Sequence, residues 1–496
     1  MIKIISSIIS LIVLLGCSRN SESEQQVTIS VTNFSISLSE ITYNNQVIGT
    51  LNASSSSGAL QFSILSQVPD GAVSIDAETG ELIVANSTLF DYETNPIISG
   101  TIRLSQGNNS ENASFQILLE DVIEGLVFEG NIELNTQQDV DDFGAENYSI
   151  VNGYLEIKYA PPVNDILDLT PLASLNQVYA LLVAGIPVSS LDGLSNLQSL
   201  QTIGFAELPN LENLNGLKNL EYVGETLILR DLPSLTNLNG LEQINYLGHF
   251  LYVSENDNLL NLDGLSGLTS FNNSGAIVDI VIEFNPLLTS LEGLSNIQAS
   301  SVVNKIEILA NDSLENLNGL QGISGSIRDV IVSGANLTDL SGLKNITTIH
   351  NLNIIRCFSL TTLDHLTQLN SITGGFFLFK NHLLGDVDKF CEVNLMLNGF
   401  GLEEMSLLTD LSCFNGISSV ESSINIYLND NLQSLNGLES LTNVGDNLNI
   451  AGNPNLTDFC ALTTLANENG VGGSFQTYNN AFNPSLEDIQ NGNCSL

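Results

Sequence analysis

Six cysteines, four histidines and 55 acidic residues are the side chains of this 496-residue chain that could do chemistry. His249, His350, His365 and His382 fall at unrelated offsets, and no His-Glu-x-x-His, Gly-x-Ser-x-Gly or P-loop pattern accompanies them. Without a nucleophile and base at a recognisable spacing, no reaction is implied, and the chain is not expected to be an enzyme. Asp139-Val140-Asp141-Asp142-Phe143-Gly144 starts like a calcium loop but lacks the Glu that should close one. Cross-linking is the chemistry the cysteines offer. Cys391, Cys413, Cys460 and Cys494 are the candidates, and four cysteines allow three pairings.

The elements that must position these residues are repeats. Leu-x-Gly-Leu recurs with its glycine at 193, 216, 240, 264, 293, 319, 342 and 437, and degenerate copies centre on Pro171, His365, Lys389, Cys413 and Ala461. Successive anchors lie 22, 23, 24, 24, 29, 26, 23, 23, 24, 24, 24 and 24 residues apart. Such a period, with leucines at fixed offsets, marks a leucine-rich solenoid over residues 155–462. In the Gly240 copy, Leu227 and Leu229 alternate as one short inward strand. Leu235, Leu238, Leu241, Ile244 and Leu247 then recur every third residue, which suits a coil that turns corners. Each coil buries only a stripe, so stacking must close the core. Eight residues before many anchors stands an Asn, at 256, 285, 311, 381, 429 and 453, with Cys357 in the same place before His365. A buried amide there must hydrogen-bond the turning backbone, and Cys357 is expected as a free thiol in that ladder.

The phrasing Leu-x-Ile-x-x-Asn-x-x-Leu-x-x-Leu-x-Gly-Leu resembles the receptor L domain, the ligand-binding solenoid of insulin and epidermal growth factor receptors. Bacterial relatives of it occur in Bacteroidetes-type surface lipoproteins. The likeness covers about residues 125–496, with Phe128-Glu129-Gly130-Asn131 through Gly144 similar to the N-terminal cap of the bacterial versions and residues 123–154 as that cap. It implies a right-handed leucine-rich β-solenoid that binds a partner, but not which partner.

Residues 1–17 form an export signal: Lys3, an apolar run from Ile4 to Leu15, then Leu14-Leu15-Gly16-Cys17. The last four resemble a bacterial lipobox, which implies acylation of Cys17 and lipid anchoring to the outer membrane. Residues 18–26 are expected as a flexible tether. Export places the remaining cysteines in an oxidising compartment. Cys391 and Cys413 fall on adjacent coils, where stacked strands about 4.8 Å apart bring cysteines within reach. A Cys460–Cys494 bridge would pin an atypical C-terminal cap over residues 463–496.

Residues 27–122 alternate apolar and polar residues between turns, which reads as a β-sandwich. Val73-Ser74-Ile75-Asp76-Ala77-Glu78-Thr79-Gly80-Glu81-Leu82, followed by Asp91-Tyr92-Glu93, resembles a cadherin repeat. That resemblance implies calcium, held by Glu40, Asp91, Glu93 and Asp121. Two features depart from it. Ser54 to Ser57 replaces an Asp-x-Asp segment, and no Asn-Asp-Asn linker follows Asp121.

Twelve Lys plus Arg against 55 Asp plus Glu leave a formal charge of -43. This excludes nucleic acid and anionic lipid surfaces as partners and suits a self-repelling surface or one that recruits cations. The expected architecture is mainly β, a cadherin-like sandwich followed by the solenoid with a disulfide-pinned cap. The expected role is a lipid-anchored surface protein recognising a cell-surface or extracellular protein or glycan. The alternative is an accessory nutrient-capture subunit beside an outer-membrane transporter. Residues flanking the inward strand positions would carry recognition: Ile228 and Arg230, Tyr252 and Ser254, Glu307 and Leu309, Asn353 and Ile355, Asn425 and Tyr427. Tyr252, Leu309 and Tyr427 are the chosen contacts.

Overall fold

The computed structural model describes residues 27–120, 126–162, 164–271, 277–300 and 303–496. Cys17 and Asp121 lie outside the described residues. The chain divides between Glu124 and Gly125 into two compact units.

In the first unit, strict alternation makes the strands. Along Asn109–Glu120, Ala113, Phe115, Ile117 and Leu119 are buried and the residues between them exposed. This strand sits in a four-stranded sheet with Phe34–Ser39, Ile97–Gln106 and Gln61–Val68, pairing in parallel with the first of these. A three-stranded sheet joins Val47–Thr50, Glu81–Val84 and Val73–Ile75. Leu82 and Val84 from one sheet share a core with Ile98, Ile102 and Phe115 from the other, so the two pack face to face. The Val73–Ile75 hairpin turns at Asp76, whose carboxylate accepts from Glu78 N–H (2.9 Å) and Thr79 N–H (2.7 Å). Those backbone donors, Thr79's above all, hold the Asp76 carboxyl below its usual range.

The second unit is one parallel stack. Its 21-stranded sheet runs from Leu126–Glu129 to Phe475–Tyr478. The helix Gln137–Ala145 precedes the strand Tyr148–Lys158 and starts with a capping box between Thr136 and Asp139. Asp139 therefore closes a helix end. Leu155, Leu181, Ile203, Leu227, Leu251, Ile280 and Ile306 register side by side on the inner face. Every one of them is fully buried. Opposite the strands, each intact Leu-x-Gly-Leu phrase makes a turn, tightened into 3₁₀ form in such copies as Asp192–Leu194, Asp263–Leu265 and Glu292–Leu294.

The glycine of that phrase is required by the approach of backbone to backbone. A Cβ on Gly216, Gly264 or Gly293 would lie 2.0, 1.9 and 1.8 Å from the carbonyl oxygens of Leu191, Leu238 and Leu262 on the preceding coil. No side chain can yield there, because the obstacle is main chain.

A buried ladder ties the coils at the end of each strand. Asn256 N–H donates to Asn285 Oδ1 (3.1 Å), and Asn285 N–H to Asn311 Oδ1 (3.1 Å). Each amide also reaches back: Asn285 Nδ2 donates to Val253 O (3.1 Å) and Asn311 Nδ2 to Ile282 O (2.8 Å). Cys357 holds its place with its N–H on Asn381 Oδ1 (3.0 Å), and burial pushes its thiol up to about 12. The ladder extends one rung past the anchors, because Asn453 N–H donates to Asn480 Oδ1 at 3.0 Å. The strand Phe475–Tyr478 likewise pairs in parallel with Leu448–Ala451, so the cap begins as one more coil. Directly before the rungs, Glu207, Asp231, Glu255, Phe284, Ala310, Arg356, Lys380, Glu404 and Leu428 adopt φ between 52° and 59°. Left-handed backbone costs about 1–2 kcal/mol for an ordinary residue. It lets N–H groups here reach the next coil, as Glu404 N–H does to Tyr427 O (3.0 Å).

Candidate functional site

Alternation along the strands turns every second residue outward, and parallel register lines these residues into columns. One column reads Glu156, Leu182, Gly204, Ile228, Tyr252, Val281, Glu307, Ile331, Asn353, Phe377, Gly401, Asn425 and Asn449. The next column includes Arg230, Ser254, Glu283, Leu309, Ser333, Ile355, Phe379, Glu403, Tyr427, Ala451 and Tyr478. Tyr252, Leu309 and Tyr427 all fall on this face, half-buried by their neighbours. Tyr252 belongs to the first column, and Leu309 and Tyr427 to the second. Ser254 departs from the sequence-based expectation. It lies in an outward column but is fully buried, so it offers nothing to a partner.

The face is apolar and aromatic in its middle. Phe250 and Tyr252 stack with ring centres 5.6 Å apart, and the Tyr252 hydroxyl donates to Glu283 Oε1 at 2.9 Å. Desolvation, more than the Glu283 contact, pushes the Tyr252 phenol above its usual range, and burial does the same for Tyr427. At the N-terminal end Tyr154 and Tyr179 meet edge to face at 6.0 Å, both nearly half exposed. Four cations on this side are paired. Lys158 bridges Glu133 and Glu156, Arg230 meets Glu207 at 2.8 Å, Lys305 meets Glu307, and Lys380 meets Glu404 at 3.2 Å. Pairs this exposed contribute about 0–1 kcal/mol each.

In the first unit, Glu40, Asp91 and Glu93 come together, with ligand oxygens all within 4.8 Å of one another. Glu40 is only 7% exposed, and its Oε2 accepts from Tyr92 N–H at 2.6 Å. Asp91 Oδ1 accepts from Thr94 N–H (2.9 Å) and Oδ2 from the Thr94 hydroxyl (3.0 Å), and the first of these leads in holding its carboxyl below the usual range. Close like charges are costly unless a cation offsets them, and hard carboxylate oxygens are the donors calcium takes. Three carboxylates supply at most about six oxygens, the low end of a calcium shell. The donor set therefore fits calcium with little to spare.

The cysteines are placed on the turn side and in the cap. Cys391 is bonded to Cys413 across adjacent coils (Cα–Cα 4.1 Å), and Cys460 to Cys494 (Cα–Cα 4.8 Å). Asp388 lies against the first pair, but sulfurs joined in a disulfide are not metal ligands.

Neither a family model nor a curated relative matches the chain. Among solved structures, protocadherin gamma B2 cadherin domains 1–5 and 3–6 are similar at 18% and 15% identity, over 20% and 21% of this chain, each with a TM-score of 0.18. The chain spans 21% and 31% of the length of those two structures. An internalin from Listeria monocytogenes is similar over 72% of this chain and 88% of its own, at 16% identity and a TM-score of 0.38. Likenesses this distant say nothing of what the chain binds.

Proposed function

We propose that this protein is a lipid-anchored surface binding protein, held at Cys17 on the outer membrane of a bacterial envelope. It takes an extracellular or cell-surface protein or glycan on the strand face of its solenoid. The observation that carries the reading is the register of that face. Leu182, Ile228, Tyr252 and Ile331 stand half-buried down one column, with Gly204, the buried Val281 and Glu307 between them. Apolar groups left partly facing solvent along one column mark a contact surface. Calcium, held by Glu40, Asp91 and Glu93, would neutralise crowded carboxylates and stiffen the first unit.

Two measurements test this reading. Cys17→Ser should move the protein out of the membrane fraction, and unchanged fractionation and migration would remove the anchor. Binding of the full chain to intact cells should fall when Tyr252, Leu309 and Tyr427 are replaced together by Ser. Unchanged binding by a folded triple variant would remove the strand face.

A further inference from the structure

One place on the strand face is built differently from the rest. In the coils that contain Gly375–Phe379 and Gly399–Glu403, three outward positions are glycines: Gly375, Gly399 and Gly401. Outward glycine in a strand gives up both propensity and packing, so three together require a reason. The ring of Phe377 lies across all three. A Cβ built on Gly401, Gly375 or Gly399 would meet ring carbons of Phe377 at 2.6, 2.9 and 3.1 Å. Gly375 and Gly401 are buried under it, while Phe377 itself stays 37% exposed. The ring is therefore laid flat on the sheet, one face against main chain and the other toward solvent.

Neighbouring residues set what could rest on that open face. Phe379, two residues along, has Lys380 Nζ over its ring at 4.9 Å, so its own cation caps it. Among the described residues, no cation or second ring stacks on Phe377. Amides border it in the same column: Asn353 on the coil before and Asn425 on the coil after Gly401. Asn425 accepts from Asn449 Nδ2 at 2.9 Å, which leaves its own NH2 as a donor. Asn351 is committed, donating to Asp329 Oδ1 (2.6 Å) and accepting from Gly375 N–H (2.7 Å), and so fixes the rim.

We propose that Phe377 is the platform of a carbohydrate subsite that takes one ring of a neutral glycan. This rests on the reading of the strand face as a binding surface and names the ligand for one part of it. An aromatic face is electron-rich and attracts the polarised C–H groups on the apolar side of a pyranose. A protein anchor would need a pocket or a knob, and a ring flush with the sheet is neither. Amides that both donate and accept suit hydroxyls. A formal charge of -43, with Glu403 and Glu404 beside the site, disfavours uronic or sulfated sugars.

The test is an array of neutral and acidic glycans probed with the full chain, followed by titration of the neutral oligosaccharide that binds best. Phe377→Leu keeps the glycines covered without a flat ring and should weaken binding about tenfold, the upper range for an aromatic contact. Phe377→Trp should bind at least as well as the parent. Asn425→Ala should weaken binding without changing the melting temperature. No retained glycan, retention of acidic glycans only, or equal affinity of Phe377→Leu and the parent would overturn the proposal. If the Tyr252, Leu309 and Tyr427 variant still loses cell binding in that case, the strand face stands and only its glycan subsite falls.

Discussion

Asn429 donates its backbone N–H to Asn453 Oδ1 at 2.9 Å, and Asn453 Nδ2 returns to Ile426 O at 3.1 Å. Two coils are thus joined at a point where neither strand nor turn could satisfy those groups. Burial makes the bonds obligatory, since both amides are inaccessible to water.

Replacing Asn429 or Asn311 by Leu should therefore cost about 1–3 kcal/mol each, the penalty of stranding buried backbone groups. Met405 supplies the opposite experiment. It interrupts the ladder between Asn381 and Asn429: Asn381 Nδ2 donates to Ile354 O at 2.8 Å, but toward the next coil it meets Met405 Sδ at 3.8 Å where other rungs offer an amide oxygen. Met405→Asn restores an oxygen acceptor and should raise the denaturation midpoint. Equal midpoints for the parent and all three variants would remove the ladder as a source of stability.

The anchor glycines give a second contrast. Gly293→Ala forces a Cβ onto the Leu262 carbonyl oxygen and should cost about 1–3 kcal/mol through overpacking. Gly416 has nothing within 4 Å of its Cβ position and ordinary backbone, so Gly416→Ala should be neutral or gain about 0.4–1 kcal/mol. Chemical denaturation of the two variants measures the difference.

The thiol of Cys357 should be silent in the folded protein. Its pKa stands at about 12 in the fold, against about 8.5 for a free thiol. Alkylation at pH 8 should spare Cys357 until denaturant is added, as mass spectrometry of its peptide would show. The sign for stability follows from a raised folded pKa. The contribution is complete below the unfolded value and is lost as pH rises from about 8.5 toward 12.

Much of the solenoid was legible because leucine spacing, anchor glycines and ladder asparagines each carry a separate signal. Less was legible at the ends. Asn480 continues the ladder, but no Leu-x-Gly-Leu phrase follows it at the right distance, so the period hides the last coil. The left-handed positions were also hidden. Phe284, Ala310 and Leu428 occupy them, where turn chemistry would suggest Gly or Asn. The stacked backbone imposes that conformation, and local preference does not announce it. In the first unit the Asp91-x-Glu93 phrase and Glu40 were readable, and the structure brings these three together. The Phe377 platform could not be foreseen, because its glycines lie on two coils and meet only through the register.

Calcium should act on the carboxylate cluster. Titrating the metal-free full chain should show one site lost in Asp91→Asn, with hydrogen exchange around Tyr92 slowed by mass action in the parent alone. Identical calcium isotherms for the parent and Asp91→Asn would dismiss the site.

The most direct test of the whole account compares two faces of the solenoid in one assay of binding to intact cells. Tyr252, Leu309 and Tyr427 replaced together by Ser alter the strand side, and Asp263 and Glu292 replaced by Ser alter the exposed turns opposite. With both proteins shown to melt like the parent, the strand-face variant should lose binding about tenfold or more, the loss of a few buried contacts. The turn variant should bind as the parent does. Binding that survives the first set and is abolished by the second would contradict the account.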